Sequence, residues 1–498
     1  MNTISIQNHQ CIPLRDIPVL PYTEFHREVM MLMENTRHRH CVNYFGYRDA
    51  GLVRLICCIA DDPGQKIEVL STLVKQEESL PSLTFNIPAF EKFEREIHEN
   101  FGITFTGHPW LKPVRYPFNR ADLASSIASY PFYTIDSEEL HEVGVGPVHA
   151  GIIEPGHFRF ICNGEQILHL EIQLGYQHRG VEQLFLDRKK MLQRTILAEN
   201  IAGDSVIGHT TAFVYLWESL CGFDAGEELK FTRTLAQEIE RIAIHTGDLS
   251  AICTDIAYQL GSSVYGRLRT PILNYFQEWC GNRFAKSLVR VGESPFSFSP
   301  HLAGRLKEVL DAFEPDFDEM SAEFFKIPSA LSRMERTGAL TAEQLETIGV
   351  VGMSARINAL ERDIRSSHPY GFYPALAHLP IIKHHGDVYS RVQVRKQEVK
   401  QSITYLRKML ESIPAGESRD FKESPKPSSF VLSLTEGWRG EICHCAITDA
   451  KGEVVMYKVK DPSFHNWLAL ALAVRNNEIS DFPVCNKSFD LSYCGHDL

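Results

Sequence analysis

Glu199-Asn200-Ile201-Ala202-Gly203-Asp204-Ser205-Val206-Ile207-Gly208-His209 and, at the far end, Ser488-Phe489-Asp490-Leu491-Ser492-Tyr493-Cys494-Gly495-His496-Asp497-Leu498 are the stretches on which the reading of this chain turns. They carry carboxylates, imidazoles, serine hydroxyls and small residues around a single thiol, Cys494. One thiolate is too few to hold a binuclear metal centre, and serine is a hard donor that titrates far above neutral pH. Imidazoles and carboxylates exchange protons near neutral pH once desolvation shifts them.

Outward from the first stretch, the chain reads mainly helical from about 181 to 410. Within Thr232 to Leu260, the residues Glu238, Arg241 and His245 fall at i, i+3 and i+7, on one helix face. A solvated face of that kind contributes little. The apolar Ile239, Ile242, Ala243 and Ile244 around it point instead to a buried, paired network. Gly281-Asn282-Arg283, Arg336-Thr337-Gly338 and Gly386-Asp387 with Arg391, Arg395 and Glu398 read as turns and as arginines pairing carboxylates inside a bundle.

Before the bundle, Leu52–Ala60 and Ile67–Val74 read as strands, and Phe90, Phe93, Ile97 and Phe101 have helical spacing that ends at Gly102. Asn163-Gly164 marks a hairpin between Phe158–Cys162 and Gln166–Leu170. After the bundle the period switches: Phe430–Leu434, Ile442–Ile447 and Val454–Val459 alternate as strands. The fold expected is α+β: a small N-terminal α+β module over 1–117, a linker of one helix and coil over 118–143, and a large mainly helical bundle domain with flanking small β-sheets over 144–498.

A net charge of -12 with no basic face excludes a nucleic-acid partner. The twelve cysteines form no framework, which suits a reducing compartment. Met1 to Arg15 lacks a targeting signal, and the apolar run Trp467–Val474 is far short of the ~20 residues a spanning helix needs. Cys443-His444-Cys445 lacks a second ligand pair for zinc, and alternation puts His444 on the opposite face. His108 before Pro109 and the His384-His385 pair read as loop residues. Neither a nucleotide-binding glycine loop nor a nucleophile elbow is present.

The two opening stretches resemble the ligand motifs of the large subunit of nickel-iron hydrogenases, whose four thiolate positions fall here on Ala202, Ser205, Ser492 and Gly495. Glu436-Gly437-Trp438-Arg439-Gly440-Glu441 resembles the segment whose arginine overlooks that metal site, with Trp438 in place of proline. Gly146-Pro147-Val148-His149, Glu154-Pro155-Gly156-His157 and Gln177-His178-Arg179-Gly180 are similar to the first sheet of both this family and the homologous quinone-site subunit of respiratory complex I. Phe101-Gly102-Ile103-Thr104-Phe105-Thr106-Gly107-His108-Pro109-Trp110 resembles the small peripheral-arm subunit of complex I. The whole resembles the fused large subunits of group-four, formate hydrogenlyase-type complexes without the nickel-iron ligands.

That resemblance implies a chain that is not a working nickel-iron hydrogenase. It implies a metal-free subunit of a membrane-associated, ion-translocating oxidoreductase of the NADH:quinone-oxidoreductase type. Electrons would pass from a 4Fe-4S cluster in an iron-sulfur partner subunit to a quinone or other small acceptor. The complex I tyrosine that bonds quinone falls on Gly203, so that contact is lost. His149, Glu154, His157, Arg439, Asp490, Tyr493 and His496 are the expected catalytic lining and proton route. Ala202, Gly203, Ser205, Ser492 and Gly495 are expected to line the vacated cavity. Partners would be the iron-sulfur subunit and other peripheral and integral membrane subunits, with the chain on the cytoplasmic, inner face of the cell membrane. The alternative is a non-catalytic scaffold joining the iron-sulfur partner to the membrane arm. An open polar cavity favours the first reading, and a packed apolar plug favours the second.

Overall fold

The computed structural model describes residues 2–415 and 419–498. Leu52–Asp61 and Lys66–Val74 form the expected antiparallel pair, and Arg39–Asp49 joins on the other side of Leu52–Asp61. Ile4–Ile6 and Val19–Leu20 complete this five-stranded sheet through Lys66–Val74. The helix Glu91–Phe101 packs against it through Phe93, Ile97 and Phe101, and ends where Gly102 takes a φ of 71°.

The linker region holds one short 3-10 turn, Ile127–Ser129, in place of the expected helix. Pro117 stands just before this part of the chain and Pro131 within it, and each lacks the amide a helical ladder needs. The strand His141–Val145 straddles the boundary drawn at 143 and pairs with His157–Asn163, which pairs in turn with Gln166–Gln173. Gly164, with φ of 56°, makes the tight turn between the last two.

The bundle is built on Val206–Cys221, Glu227–Asp255, Gln259–Cys280, Pro300–Phe324 and Val388–Glu411. The 29-residue helix Glu227–Asp255 runs through its centre. Glu238, Arg241 and His245 are fully buried there, and the network they join draws on four other helices. Glu398 takes Arg356 at 2.5 Å, His245 at 2.7 Å, Arg365 at 2.9 Å and Arg241 at 3.4 Å. Glu238 accepts from Tyr373 and Ser402, each at 2.6 Å. Burying so many charges is costly, so the network holds only because nearly every member is paired.

The last sheet runs Val454–Lys460, Glu441–Thr448, Ser429–Glu436, and ends on Ile12–Pro13 from the N-terminus. The N-terminal module is therefore clamped to the far end of the chain. The clamp is reinforced by Lys458–Glu96 at 2.5 Å and His40–Glu441 at 2.6 Å, all buried. Among the described residues no helix is long and apolar enough to cross a membrane.

Candidate functional site

Arg179 brings the two distant stretches together. Its guanidinium donates to the carbonyls of Asn200 at 2.7 Å and Ile201 at 2.9 Å, and to that of Cys494 at 3.0 Å. Its amide donates to Leu498 O at 2.7 Å. The Asp497 carboxylate accepts the amides of Gly175 and Gln177, which pins the turn Tyr493–Asp497 against the first sheet.

The four corner positions are spent on structure. Ala202 is buried with no donor atom, and Gly203 beside it is exposed with open space where a Cβ would stand. Ser205 accepts from Arg439 at 3.2 Å. Ser492 caps the Tyr493–Asp497 helix by accepting the Gly495 amide at 2.9 Å. At Gly495 a Cβ would lie 2.7 Å from the Asp461 carboxylate, so that carboxylate takes the space of a side chain. The expectation that these positions line one vacated cavity is corrected: they end as a helix cap, a carboxylate seat, an arginine contact and a solvent-facing loop. Nickel and iron do not fit this donor set, which offers no soft ligand at any corner. Among the described residues no group of three or more His, Cys, Asp or Glu side chains could hold a metal ion.

Charge fills the space between the motifs. Arg439 is 5% exposed, lies 3.9 Å over the Trp438 ring, and forks onto Asp204 with both bonds at 2.6 Å. It also donates to the Asp490 carbonyl. The Asp490 side chain takes Lys487 at 2.7 Å, and Asp248 takes Arg395 at 2.9 Å. Burial and the neighbouring Asp490 charge push the Asp248 carboxyl up to about 7, so its proton bonds Asp490. Asp490 is held well below the ordinary range because Lys487 and Arg439 outweigh its burial. One carboxyl of the pair thus keeps a proton that leaves near neutral pH.

A second chain starts at the Gly495 corner. Asp461 Oδ2 lies 2.9 Å from His209 Nε2, His209 Nδ1 lies 3.2 Å from His444 Nε2, and His444 Nδ1 lies 2.8 Å from the Tyr457 hydroxyl. All four are buried. Burial works to raise Asp461, but the His209 ring and Arg439 hold it below the usual carboxylate range. An ionised Asp461 accepts from His209 Nε2–H, which leaves Nδ1 to accept from His444 Nε2–H and His444 Nδ1 to accept from Tyr457. Every donor in the chain therefore points toward Asp461.

Among the expected residues, Arg439, Asp490, Tyr493 and Glu154 meet. Burial first, and then the nearby Glu154 charge, push both the Tyr493 hydroxyl and the Cys494 thiol up, each to about 12. Tyr493 packs on Trp467 with ring centres 4.9 Å apart, and its ring edge lies where a Cβ on Gly156 would stand. His149 folds back to bond the Gly156 carbonyl at 2.8 Å. His157 opens the central strand of that sheet, its ring tilted against Phe132 with centres 5.0 Å apart. His496 is corrected: it bonds Asp497 at 2.9 Å and faces Lys92, Arg95 and Arg115 of the N-terminal module, on the other side of its helix. Asp248, Asp204, Asp461, His209 and His444 were not expected at the site. Asp248 continues the stripe Glu238, Arg241, His245 by one more i+3 step and was legible on that ground.

Two family descriptions match the chain. Residues 22–119 match the 30 Kd subunit of respiratory-chain NADH dehydrogenase, and residues 259–428 match its 49 Kd subunit. The chain carries a 30-kDa-type and a 49-kDa-type complex I domain fused in one polypeptide. This fusion subunit is 25% identical over 443 residues to hydrogenase-4 component G of Escherichia coli, covering 85% of this chain and 77% of that protein. It is 25% identical to the C/D subunit of NADH-quinone oxidoreductase from Phocaeicola vulgatus, over 95% of this chain and 97% of the relative. A solved chain of the membrane-bound sulfane sulfur reductase, an archaeal respiratory membrane complex, superposes with a TM-score of 0.67 at 19% identity. It covers 74% of this chain and 100% of its own, and establishes the common α+β fold. The fusion subunit is accordingly a component of a complex I-related oxidoreductase.

Proposed function

We propose that this subunit passes electrons from a 4Fe-4S cluster in an iron-sulfur partner to a quinone or similar small acceptor, in a membrane-associated complex that couples the transfer to ion translocation. The supporting observation is what replaces the thiolate corners: a charged floor of Arg439, Asp204 and Asp490 with Tyr493 and Glu154 at its edge. Two segments leading into this floor are apolar and exposed. Ile152 is 86% and Val148 75% exposed in the hairpin loop before Glu154, and Leu192 and Ile196 lie outward on the helix Met191–Ala198 before the first motif. A partner seated on those residues would bury them and convert the open edge at Gly203 into an enclosed acceptor site. Tyr493 would donate to an acceptor oxygen, Arg439 would stabilise negative charge developing on it, and the proton shared by Asp248 and Asp490 would be delivered near neutral pH.

A scaffold role draws on one observation, the Asp461 carboxylate filling the Gly495 corner. The two readings part in the intact purified complex, assayed for oxidation of its reduced cluster by short-chain quinones. Acceptor-dependent oxidation that falls in Tyr493→Phe supports electron transfer at this site. Oxidation at the same rate with Arg439 and Tyr493 both replaced would leave the scaffold.

A further inference from the structure

A cavity of about 290 Å3 opens where the helix Glu91–Phe101 faces the strand Gln166–Gln173 and the helix Pro462–Ala473. It lies at the seam between the 30-kDa-type and 49-kDa-type halves, on the side of Tyr493–Asp497 that His496 faces. Its apolar walls are Trp110, Leu170, Ile172, Trp467 and Leu468. A water-sized hollow of about 20 Å3 shares Lys92, Arg95, Ile172 and Trp467 with it and ends at His496.

The charges around this cavity do not cancel. Glu91 is taken by Arg95, and Glu171 by Lys112 at 2.8 Å. The three nitrogens of Arg95 are spent on Glu91 and on the carbonyls of Lys112 and Pro113. That leaves Lys92 and Arg475, neither with a carboxylate within 4.0 Å among the described residues. Arg475 donates to His169 Nδ1 at 3.4 Å, which makes His169 Nε2 a donor, and that buried atom has no partner. Buried polar groups in folded proteins are satisfied, so an orphan donor beside an unpaired guanidinium and a lysine amine with no carboxylate in reach marks a place for an acceptor. His496 is 2% exposed, and its Nε2 also lacks a partner. With Nδ1–H given to Asp497, Nε2 accepts, and a single water in the hollow suffices to donate to it.

We infer that this seam binds a compact aromatic monocarboxylate, its ring among Trp110, Leu170, Ile172 and Trp467 and its carboxylate on Lys92, Arg475 and His169. The volume sits at the small end of ligand cavities, which favours one or two fused rings over a long or branched molecule. Burial holds the Lys92 ammonium down, to about 7, so a bound carboxylate would restore its proton.

Calorimetric titration of the intact complex with 2-naphthoate and with the neutral 2-naphthamide tests this. Naphthoate should bind roughly tenfold tighter or better, the worth of a charge-assisted bond, and should take up a proton near pH 8, read from buffers of differing ionisation heat. Lys92→Met should remove both the preference and the proton uptake. Arg475→Gln, at an exposed position whose side chain bonds only His169 among the described residues, should weaken naphthoate and leave naphthamide unchanged. Equal affinities for the two probes, no naphthoate binding at millimolar concentration, or indifference to Arg475→Gln would overturn the assignment. Tighter binding of decanoate than of naphthoate would overturn the aromatic class.

Discussion

Gly495→Ala tests directly whether the old metal corner is now a carboxylate seat. The added Cβ would stand 2.7 Å from both Cγ and Oδ2 of Asp461, about 0.7 Å inside the start of ordinary contact, and 2.9 Å from Ser492 Oγ. Asp461 is 1% exposed and cannot retreat freely. One oxygen bonds His209 at 2.9 Å, and the other accepts the Ser463 amide at 2.8 Å, capping the helix Pro462–Ala473. Losing the charge-assisted bond costs about 1.5–3 kcal/mol and losing the cap about 1 kcal/mol. The expected destabilisation of that helix is about 2–4 kcal/mol, a drop in amide protection of roughly 30- to 1000-fold by hydrogen exchange over 462–473. Local exchange suits a chain this long, because global unfolding is not two-state. Asp461→Ala removes the obstacle, so the double variant should cost at least about 1 kcal/mol less than the two singles together. Strict additivity, or a Gly495→Ala helix as protected as the wild type, would refute the reasoning.

Glu398→Gln strips the carboxylate shared by Arg356, Arg365, Arg241 and His245 and should destabilise the bundle by about 3–5 kcal/mol, read from its urea unfolding midpoint. Asp248 is raised from 3.8 to about 7, so its contribution is full below about pH 4 and is lost as pH rises through 7. Against Asp248→Asn, the wild type should lose stability between about pH 4 and 7 in parallel thermal melts, and acceptor reduction should lose its titration near pH 7 in the variant. Arg439→Gln leaves Asp204 and Asp490 without their shared cation. It should lower acceptor reduction by roughly tenfold or more while the cluster still reduces normally, by electron paramagnetic resonance.

Much of the fold was legible because its local signals are strong. The strands at 52, 67, 430, 442 and 454 are short runs rich in apolar and β-branched residues, buried over most of their length, and the helix through Phe93 and Ile97 carries its own stop at Gly102. The Glu238-Arg241-His245 stripe lay among isoleucines and came out buried, since a charged face surrounded by apolar residues must find partners inside. The site was legible as composition and not as arrangement. The missing thiolates could be counted, but nothing local says that Asp461, 34 residues before Gly495, supplies the group that fills the gap. His496 went to the opposite side because, on a five-residue helix pinned by Asp497, its direction is set by the N-terminal module, which lies hundreds of residues away in sequence. The strand at 141 was missed because His141-Glu142-Val143-Gly144-Val145 is polar at one end and holds a glycine.

The most direct test of electron transfer through this subunit is to reduce the partner's cluster in the purified complex, add a short-chain quinone, and follow the reduced-cluster signal alongside metal analysis. The signal should decay with quinone concentration in a complex holding no stoichiometric nickel. A signal untouched by quinone, or nickel bound one to one with this chain, would contradict electron transfer to an acceptor at a metal-free site.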